Sequence, residues 1–258
     1  CIQGPSALCQ CEPENLPENK LLKLRDKVLE LSKFPFFFPN GNKKMKAFVS
    51  WSGGKDCMLA MHRFLKNQNN SVSHLVNMCE NDNEYSRSHG IKKDFIKLQA
   101  DSLGIKIIQE KIGESYEANF KKVISKLKSE GVTAGVFGDI YLEEHKVWID
   151  GVCSDMEIEA VFPLWGNDTR KLLNEFISEE FKTMVVAIDN TKLSAEWLGR
   201  IIDHDFYKDI IKLGHIDACA EKGEYHSFVY DGPIFKSPIS FATGKTYIKS
   251  RNTFIELK

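Results

Sequence analysis

Residues 47–64 read A-F-V-S-W-S-G-G-K-D-C-M-L-A-M-H-R-F and change character twice. The apolar run Ala47, Phe48 and Val49 suits a buried strand. Ser52-Gly53-Gly54 cannot easily continue it, and from Asp56 onward the apolar spacing becomes helical. Cys57, Met58, Met61, Phe64 and Leu65 recur at three- and four-residue intervals, so the helix packs on the sheet and aims its N-terminus back at the loop. Strand, glycine loop and helix in that order form an anion site. Unspent N–H groups of the first helical turn, the positive end of the helix dipole and the Lys55 ammonium converge there, and two glycines let the main chain approach a phosphate. The plainer reading is a glycine turn with a surface lysine. The glycines are adjacent and followed at once by Lys55 and Asp56, which is neither G-x-x-x-x-G-K-[ST] nor G-x-G-x-x-G.

Downstream, short apolar strands alternate with helices. Strands are predicted over residues 72–78, 105–108 and 132–137, and helices from Ile91, Phe95, Leu98 and Leu103 and from Tyr116, Phe120, Val123, Ile124 and Leu127. Such alternation predicts an α/β fold with a mostly parallel sheet covered on both faces, and ligands at the carboxyl ends of its strands. Three segments lie at such ends: the glycine loop, residues 77–90, and Gly138-Asp139. Ser86-Arg87-Ser88-His89-Gly90 either caps the following helix or brings Arg87 and His89 to a phosphate or acidic substrate. Asp139 either caps a helix near Tyr141 or helps hold Mg²⁺.

Beyond Asp155 a second, smaller α+β lobe is expected, with strands over residues 158–162 and 182–188, a helix capped by Asp168 or Thr169, and helical turns around Trp197 and Phe206. The division expected is therefore an extension over 1–44, a nucleotide domain over 45–155 and a substrate lobe over 156–258. Residues 221–235, E-K-G-E-Y-H-S-F-V-Y-D-G-P-I-F, read by pattern alone as a hairpin.

Composition narrows the function. With 35 basic and 36 acidic residues among 258, no global field draws the chain to nucleic acid or membrane, so any such partner would meet a local patch. No apolar run approaches the roughly 20 residues of a membrane helix. Seven cysteines, widely spaced and odd in number, read as reduced thiols and point to the cytoplasm. Cys9-x-Cys11 lacks the second pair a zinc site needs. Residues 1–44 hold one candidate helix over 19–33 and no strand, and Met45, just before the first strand, reads as a natural start.

S-G-G-K-D-C resembles the S-G-G-K-D-S pyrophosphate loop of the N-type ATP pyrophosphatases, with Cys57 where that superfamily usually has serine. G-E-Y-H-S-F-V-Y-D-G-P-I-F from Gly223, V-F-P-L-W-G from Val161, W-L-G-R from Trp197 and S-R-S-H-G-I from Ser86 together resemble the diphthine–ammonia ligase family, from about residue 45 to 238. C-A-E-K-G-E-Y-H-S carries Ala220 and Ser227 where that family has glycine and threonine, and G-D-I-Y-L-E-E-H from Gly138 is similar to its bacterial members. The resemblance implies a HUP-like sheet, ATP and Mg²⁺ as cofactors, and adenylation of a carboxylate followed by displacement of AMP by ammonia. The acceptor it implies is the diphthine of elongation factor 2 or, in a bacterial-type member, another carboxylate; a homodimer is compatible with it. By the same resemblance ATP would meet Ser50, Ser52, Gly53, Gly54, Lys55, Asp56, Cys57, Asn77, Met78 and Gly138. Substrate would meet Ser86, Arg87, Ser88, His89, Glu221, Gly223, Tyr225 and Asp231. Lys55, Glu224 and His226 would be catalytic and Asp139 would face Mg²⁺. Two other readings stay open: a non-catalytic ATP-binding sensor, and a PP-loop enzyme adenylating a tRNA base for thiolation. The second needs paired cysteines near the loop and a basic groove, and neither is visible.

Overall fold

The computed structural model describes residues 44–80, 84–87, 89–113 and 115–258. The candidate helix at 19–33, the Cys9/Cys11 pair and Ser88 lie outside them. The first sheet is parallel throughout and comprises β1 (Lys46–Ser50), β2 (Ser71–Cys79), β3 (Lys106–Lys111), β4 (Ala134–Val136) and β5 (Glu159–Val161). Its order, β3-β2-β1-β4-β5, reverses direction between β1 and β4, the switch point where open α/β sheets bind ligands. The crossovers are α1 (Lys55–Leu65), α2 (Lys93–Leu103), α3 (Tyr116–Ser129) and α4 (Glu143–Asp155). This is the α/β, HUP-like arrangement expected.

Strand alternation sorts the core into two layers. Ala47 and Val49 face one cluster with Met58, Met61 and Phe95, while Phe48 faces the other with Phe120, Ile124 and Ile149. Caps behave as their chemistry requires. Ser115 accepts from the Ala118 N–H at 3.2 Å to start α3. Asp168, not Thr169, accepts from the Lys171 N–H at 2.9 Å to start α5 (Thr169–Ser178).

A second sheet follows, β6 (Lys182–Asp189), β7 (Tyr225–Asp231), β8 (Thr243–Lys249) and β9 (Asn252–Leu257), antiparallel in the order β7-β6-β9-β8. Between β6 and β7 lie a short 3₁₀ turn at Ala195–Trp197 and α6 (His204–Lys212). Two expectations are corrected. The strand at 158–162, assigned to the second lobe, is β5 and pairs with β4, because Glu159, Ala160 and Val161 complete the parallel ladder beside Ala134, Gly135 and Val136. The boundary at 155 thus cuts the first sheet from its own edge strand. Residues 221–235 do not form a local hairpin either, since β7 pairs with β6.

The two sheets share α1. Lys55 to Met61 and Phe64 are all buried, because β1 and β4 press one flank of the helix and β7 the other. Val49, Val136, Met58, Val185 and Phe228 consequently belong to one continuous core. Gln99 on α2 clamps this junction. Its amide donates to the Gly53 carbonyl at 2.9 Å and the Val229 carbonyl at 2.6 Å, and its oxygen accepts from Trp51 Nε1 at 3.0 Å. Gln99→Leu removes all three bonds and strands the Trp51 indole N–H, while the Gly53 carbonyl keeps the Val229 N–H, and is expected to lower the unfolding free energy by about 1–3 kcal/mol. Urea denaturation checks this; a loss below about 0.5 kcal/mol, the scale of an ordinary surface change, would deny the clamp.

Candidate active site

The glycine loop stands where β1 ends, beside the end of β4. The approach is close enough that a Cβ on Gly138 would lie 2.8 Å from Cys57 N and 2.9 Å from the Asp56 carbonyl carbon, both backbone atoms, so only glycine fits. A Cβ on Gly54 would likewise meet His89 Cε1 at 2.3 Å. The first turn of α1 is thus held between the β4 loop and a histidine of the β2–α2 connection.

Lys55 is 4% exposed, and its ammonium binds the Asp56 carboxylate at 2.9 Å, the Cys219 carbonyl and, at 5.0 Å, the face of Tyr225. Burial alone would lower its pKa, but the adjacent Asp56 carboxylate overcomes that and holds the ammonium above its ordinary value. Its backbone N–H, one of the unspent donors at the helix start, donates to Ser227 Oγ at 3.2 Å. Cys57 does not present its thiol as an anion contact: Sγ donates to the Gly54 carbonyl at 3.2 Å and lies 3.4 Å from Ser52 Oγ.

From the second lobe come Glu221, Gly223, Tyr225, His226 and Ser227. With Lys55, Asp56, His89, His145, Cys219 and Ala220 they line one cavity of about 20 Å³. Tyr225 is fixed by its hydroxyl, which donates to the Ala218 carbonyl at 2.6 Å. Glu221 Oε1 accepts from the Ile140 N–H at 2.8 Å, and burial, with the charges of Asp139 and Asp56, pushes its carboxyl up to about 8. His89 Nδ1 donates to the Ser227 carbonyl at 2.8 Å, and its ring centroid lies 4.7 Å from that of His226. Burial drives the His226 pKa down to about 3, with Lys55 acting the same way. Burial also lowers that of His89, with His226 adding to it.

Asp139 is fully buried. One oxygen meets His145 Nδ1 at 3.1 Å and the other has no hydrogen-bond partner. It does not cap α4, which starts at Glu143 without a side-chain cap. Ser86 caps nothing either, since its hydroxyl accepts from Asn77 Nδ2 at 2.9 Å, while the same amide donates to the Trp51 carbonyl at 2.7 Å. Asn77 and Met78 therefore sit at the carboxyl end of β2, and Ser50 at that of β1. Arg87 lies over the Tyr116 ring at 5.6 Å. Among the described residues no group of three or more His, Cys, Asp or Glu side chains could hold a metal. An Mg²⁺ that keeps its waters and bridges phosphates needs only one or two carboxylates, and the unsatisfied Asp139 oxygen fits that need.

Two expected site residues stand apart. Glu224 does not line the cavity; its carboxylate faces Lys192 Nζ at 3.6 Å, because Gly223, with φ +74°, turns the chain just ahead of β7. Asp231 lies at the far end of β7, where it accepts from the Gly232 N–H at 2.9 Å and closes a turn. Sequence reasoning missed His145, Cys219 and Gln99. His145 had one signal, its place on the helix following Asp139. Cys219 acts through a carbonyl and Gln99 from a helix face, so neither had any.

The profile of the Diphthamide synthase N-terminal domain matches residues 45–160, and that of the Diphthamide synthase C-terminal domain matches residues 168–258. The Rattus norvegicus diphthine–ammonia ligase is 24% identical over 240 residues, covering 81% of this chain and 88% of that protein. The Homo sapiens diphthine–ammonia ligase is 26% identical over 148 residues, covering 56% of this chain and 54% of that protein, so the chain spans about half the length of that relative. A solved structure of the U34-tRNA thiolase NcsA from Methanococcus maripaludis with its [4Fe-4S] cluster is similar at 15% identity and a TM-score of 0.36, covering 62% of this chain and 65% of that one. A likeness that weak bears on neither fold nor chemistry. The loop after β1 and the G-E-Y-H-S strand of the second sheet fall in the two matched domains in that order, and the chain belongs to the diphthamide synthase family.

Proposed function

We propose that the chain is an ATP-dependent carboxylate–ammonia ligase, the activity carried in the names of its diphthine–ammonia ligase relatives. The carboxylate attacks the α-phosphorus of ATP, an acyl–AMP bond forms and pyrophosphate leaves. Ammonia then attacks the acyl carbon, the carbon–oxygen bond to AMP breaks, and a proton is released with the amide. The first half is needed because a carboxylate offers ammonia no usable leaving group. The acceptor in this reading is a diphthine-type carboxylate, that of elongation factor 2 or, in a bacterial-type member, another carboxylate, and the four buried cysteines of the described residues, none in a disulfide, suit a reducing compartment. No helix of the described residues is long and apolar enough to cross a membrane.

One observation carries the reading: the N-terminus of α1 and the G-E-Y-H-S strand share one wall, with Lys55 N–H on Ser227 and Lys55 Nζ beside Tyr225. The cavity is too small for a nucleotide, so ATP lies at its mouth with its outer phosphates against Gly53, Gly54 and Lys55. There the helix dipole and a lysine that stays charged stabilise the departing pyrophosphate. Mg²⁺ would be held through Asp139 and would neutralise phosphate charge. His226 and Glu221 face the acyl end, and Arg87 lies near enough to the Tyr116–Asp139 side to meet an acid group.

The test is to supply Mg²⁺, ATP, ammonium and diphthine-bearing elongation factor 2, and to follow nucleotides and protein mass. Equal amounts of AMP and pyrophosphate that depend on the acceptor are expected, with loss of the carboxylate charge. ADP, or ATP binding without turnover, would replace the ligase by a kinase-like or sensor role.

A further inference from the structure

We infer that Asp217 is a positioning residue of the ligase reaction proposed above, on which this inference rests: its carboxylate folds the turn whose carbonyls hold Lys55 and Tyr225 in place. Asp217 is half-buried and does not itself line the cavity. Its Oδ1 accepts from the Cys219 N–H at 2.8 Å and the Glu221 N–H at 3.3 Å. Its Oδ2 accepts from the Tyr141 hydroxyl at 3.1 Å, across the gap to the loop that follows β4. Burial, then the Asp217 charge, raise the Tyr141 pKa, so the phenol keeps its proton and acts as the donor. One carboxylate thus joins the turn at 217–221 to the loop bearing Asp139 and Ile140. The Glu221 carboxylate ties the same two segments a second time, accepting from the Ile140 N–H at 2.8 Å.

The shape of the turn matters because two of its backbone carbonyls act on the site. That of Cys219 binds the Lys55 ammonium, and that of Ala218 accepts from the Tyr225 hydroxyl at 2.6 Å, fixing the ring that stands 5.0 Å from Lys55 Nζ. Both the carbonyl and the ring beside this ammonium therefore trace back to one turn. Between Cys219 and Glu221, Ala220 takes φ +57°, a left-handed conformation that a residue with a Cβ adopts only when its surroundings impose it. The amides on either side of Ala220 are the two that Asp217 Oδ1 holds. Main-chain bonds of 2.9 Å from the Ala220 N–H to the Asp217 carbonyl and from the Gly223 N–H to the Ala220 carbonyl complete the turn. Without the carboxylate these two amides lose their acceptor, Ala220 is free to relax, and the Cys219 carbonyl leaves Lys55. A lysine no longer fixed meets the developing pyrophosphate charge out of place, and a displacement of this size, far from the chemistry, is enough to slow a reaction.

Acetylation of Lys55 by acetic anhydride, followed by peptide mass mapping, reports on this cradle without ATP or acceptor. Asp217→Ala should speed Lys55 labelling at least about tenfold, because a buried amine is reached through local opening. It should also lower kcat for acceptor-dependent pyrophosphate release about 10–100-fold while the KM for ATP stays within about threefold, a split that a general loss of structure would not produce. Asp217→Asn keeps an acceptor for the two amides and should stay within about threefold of the wild type in both measurements. Tyr141→Phe removes only the hydroxyl bond and should speed labelling about threefold or more. Each variant is measured where circular dichroism shows it folded. A folded Asp217→Ala protein whose Lys55 is labelled at the wild-type rate, or an Asp217→Asn protein as impaired as Asp217→Ala, overturns the assignment. Should Asp217→Ala not fold, Tyr141→Phe decides, and unchanged labelling there overturns it. Absence of acceptor-dependent pyrophosphate release from the wild type overturns the ligase reading itself, whereas the labelling result judges the hold of Asp217 on Lys55 independently.

Discussion

Lys55→Ala is expected to slow acceptor-dependent pyrophosphate release by about 10²–10³-fold, the usual effect of removing one preorganised charge from a developing anion. The argument rests on position. Lys55 opens α1, its ammonium sits within a buried cluster, and Asp56 holds it charged at every working pH. Among the described residues no other lysine or arginine lines the cavity. The variant also leaves the Asp56 carboxylate without its ammonium, and breaking a buried pair of this kind costs about 3–5 kcal/mol. Activity must therefore be measured on protein shown to be folded by circular dichroism at the assay temperature. Lys55→Arg provides a second arm. It keeps the charge but brings a larger planar head into a space walled by the Tyr225 ring and the Cys219 carbonyl, and recovery of wild-type rate is not expected. A folded Lys55→Ala protein that released pyrophosphate within about tenfold of the wild-type rate, about 1.4 kcal/mol of barrier, would remove Lys55 from the chemistry.

Acidification should destabilise the fold through His226. Its folded pKa of about 3 lies below the ordinary 6.5, so the unfolded chain binds the proton first and stability is lost as pH falls below about 6.5. For this one ring the loss between pH 7 and pH 5 is about 2 kcal/mol. His89 adds in the same direction. Glu221 opposes both. Its folded pKa, raised to about 8 from 4.5, gives stability that is complete below about 4.5 and is lost as pH rises through 8. The wild-type curve alone thus mixes two slopes of opposite sign, and the informative quantity is a difference. Relative to His226→Gln, the wild type should lose about 2 kcal/mol between pH 7 and pH 5 in urea titrations. In a Glu221→Gln background, acid destabilisation should stand out plainly. Parallel curves for wild type and His226→Gln would mean that this imidazole is solvated.

The sequence made the first sheet legible because its signals are local. Ala47 to Val49, the two glycines and the spacing of Met58, Met61 and Phe64 each report on a few neighbouring residues, and the structure forms β1, the loop and α1 from them. What escaped depends on distant pairing. Nothing within 158–162 tells a parallel edge strand from the first strand of a new lobe; the ladder to β4 decides it. The same holds for the partner of β7. Within the site, side chains with unusual neighbours in sequence were found, including Lys55, His89, Tyr225 and His226. Glu224 was read from its string, but one glycine turn separates its carboxylate from the cavity that His226 lines. Gln99 is a polar residue on a helix, and its burial at 0% exposure could not be read from a pattern in which polar means solvent-facing.

Because α1 is wedged between the two sheets, the larger of the two cores runs through both halves of the molecule, and only the layer around Phe48 and Phe120 belongs to the first half alone. Removing everything beyond residue 160 would bare the flank of α1 that now meets Phe228 and Val185, together with the loop carbonyl that now accepts from the Val229 N–H. A fragment cut there would be a sticky, half-finished particle, and heating the intact chain should melt both matched domains in a single cooperative step.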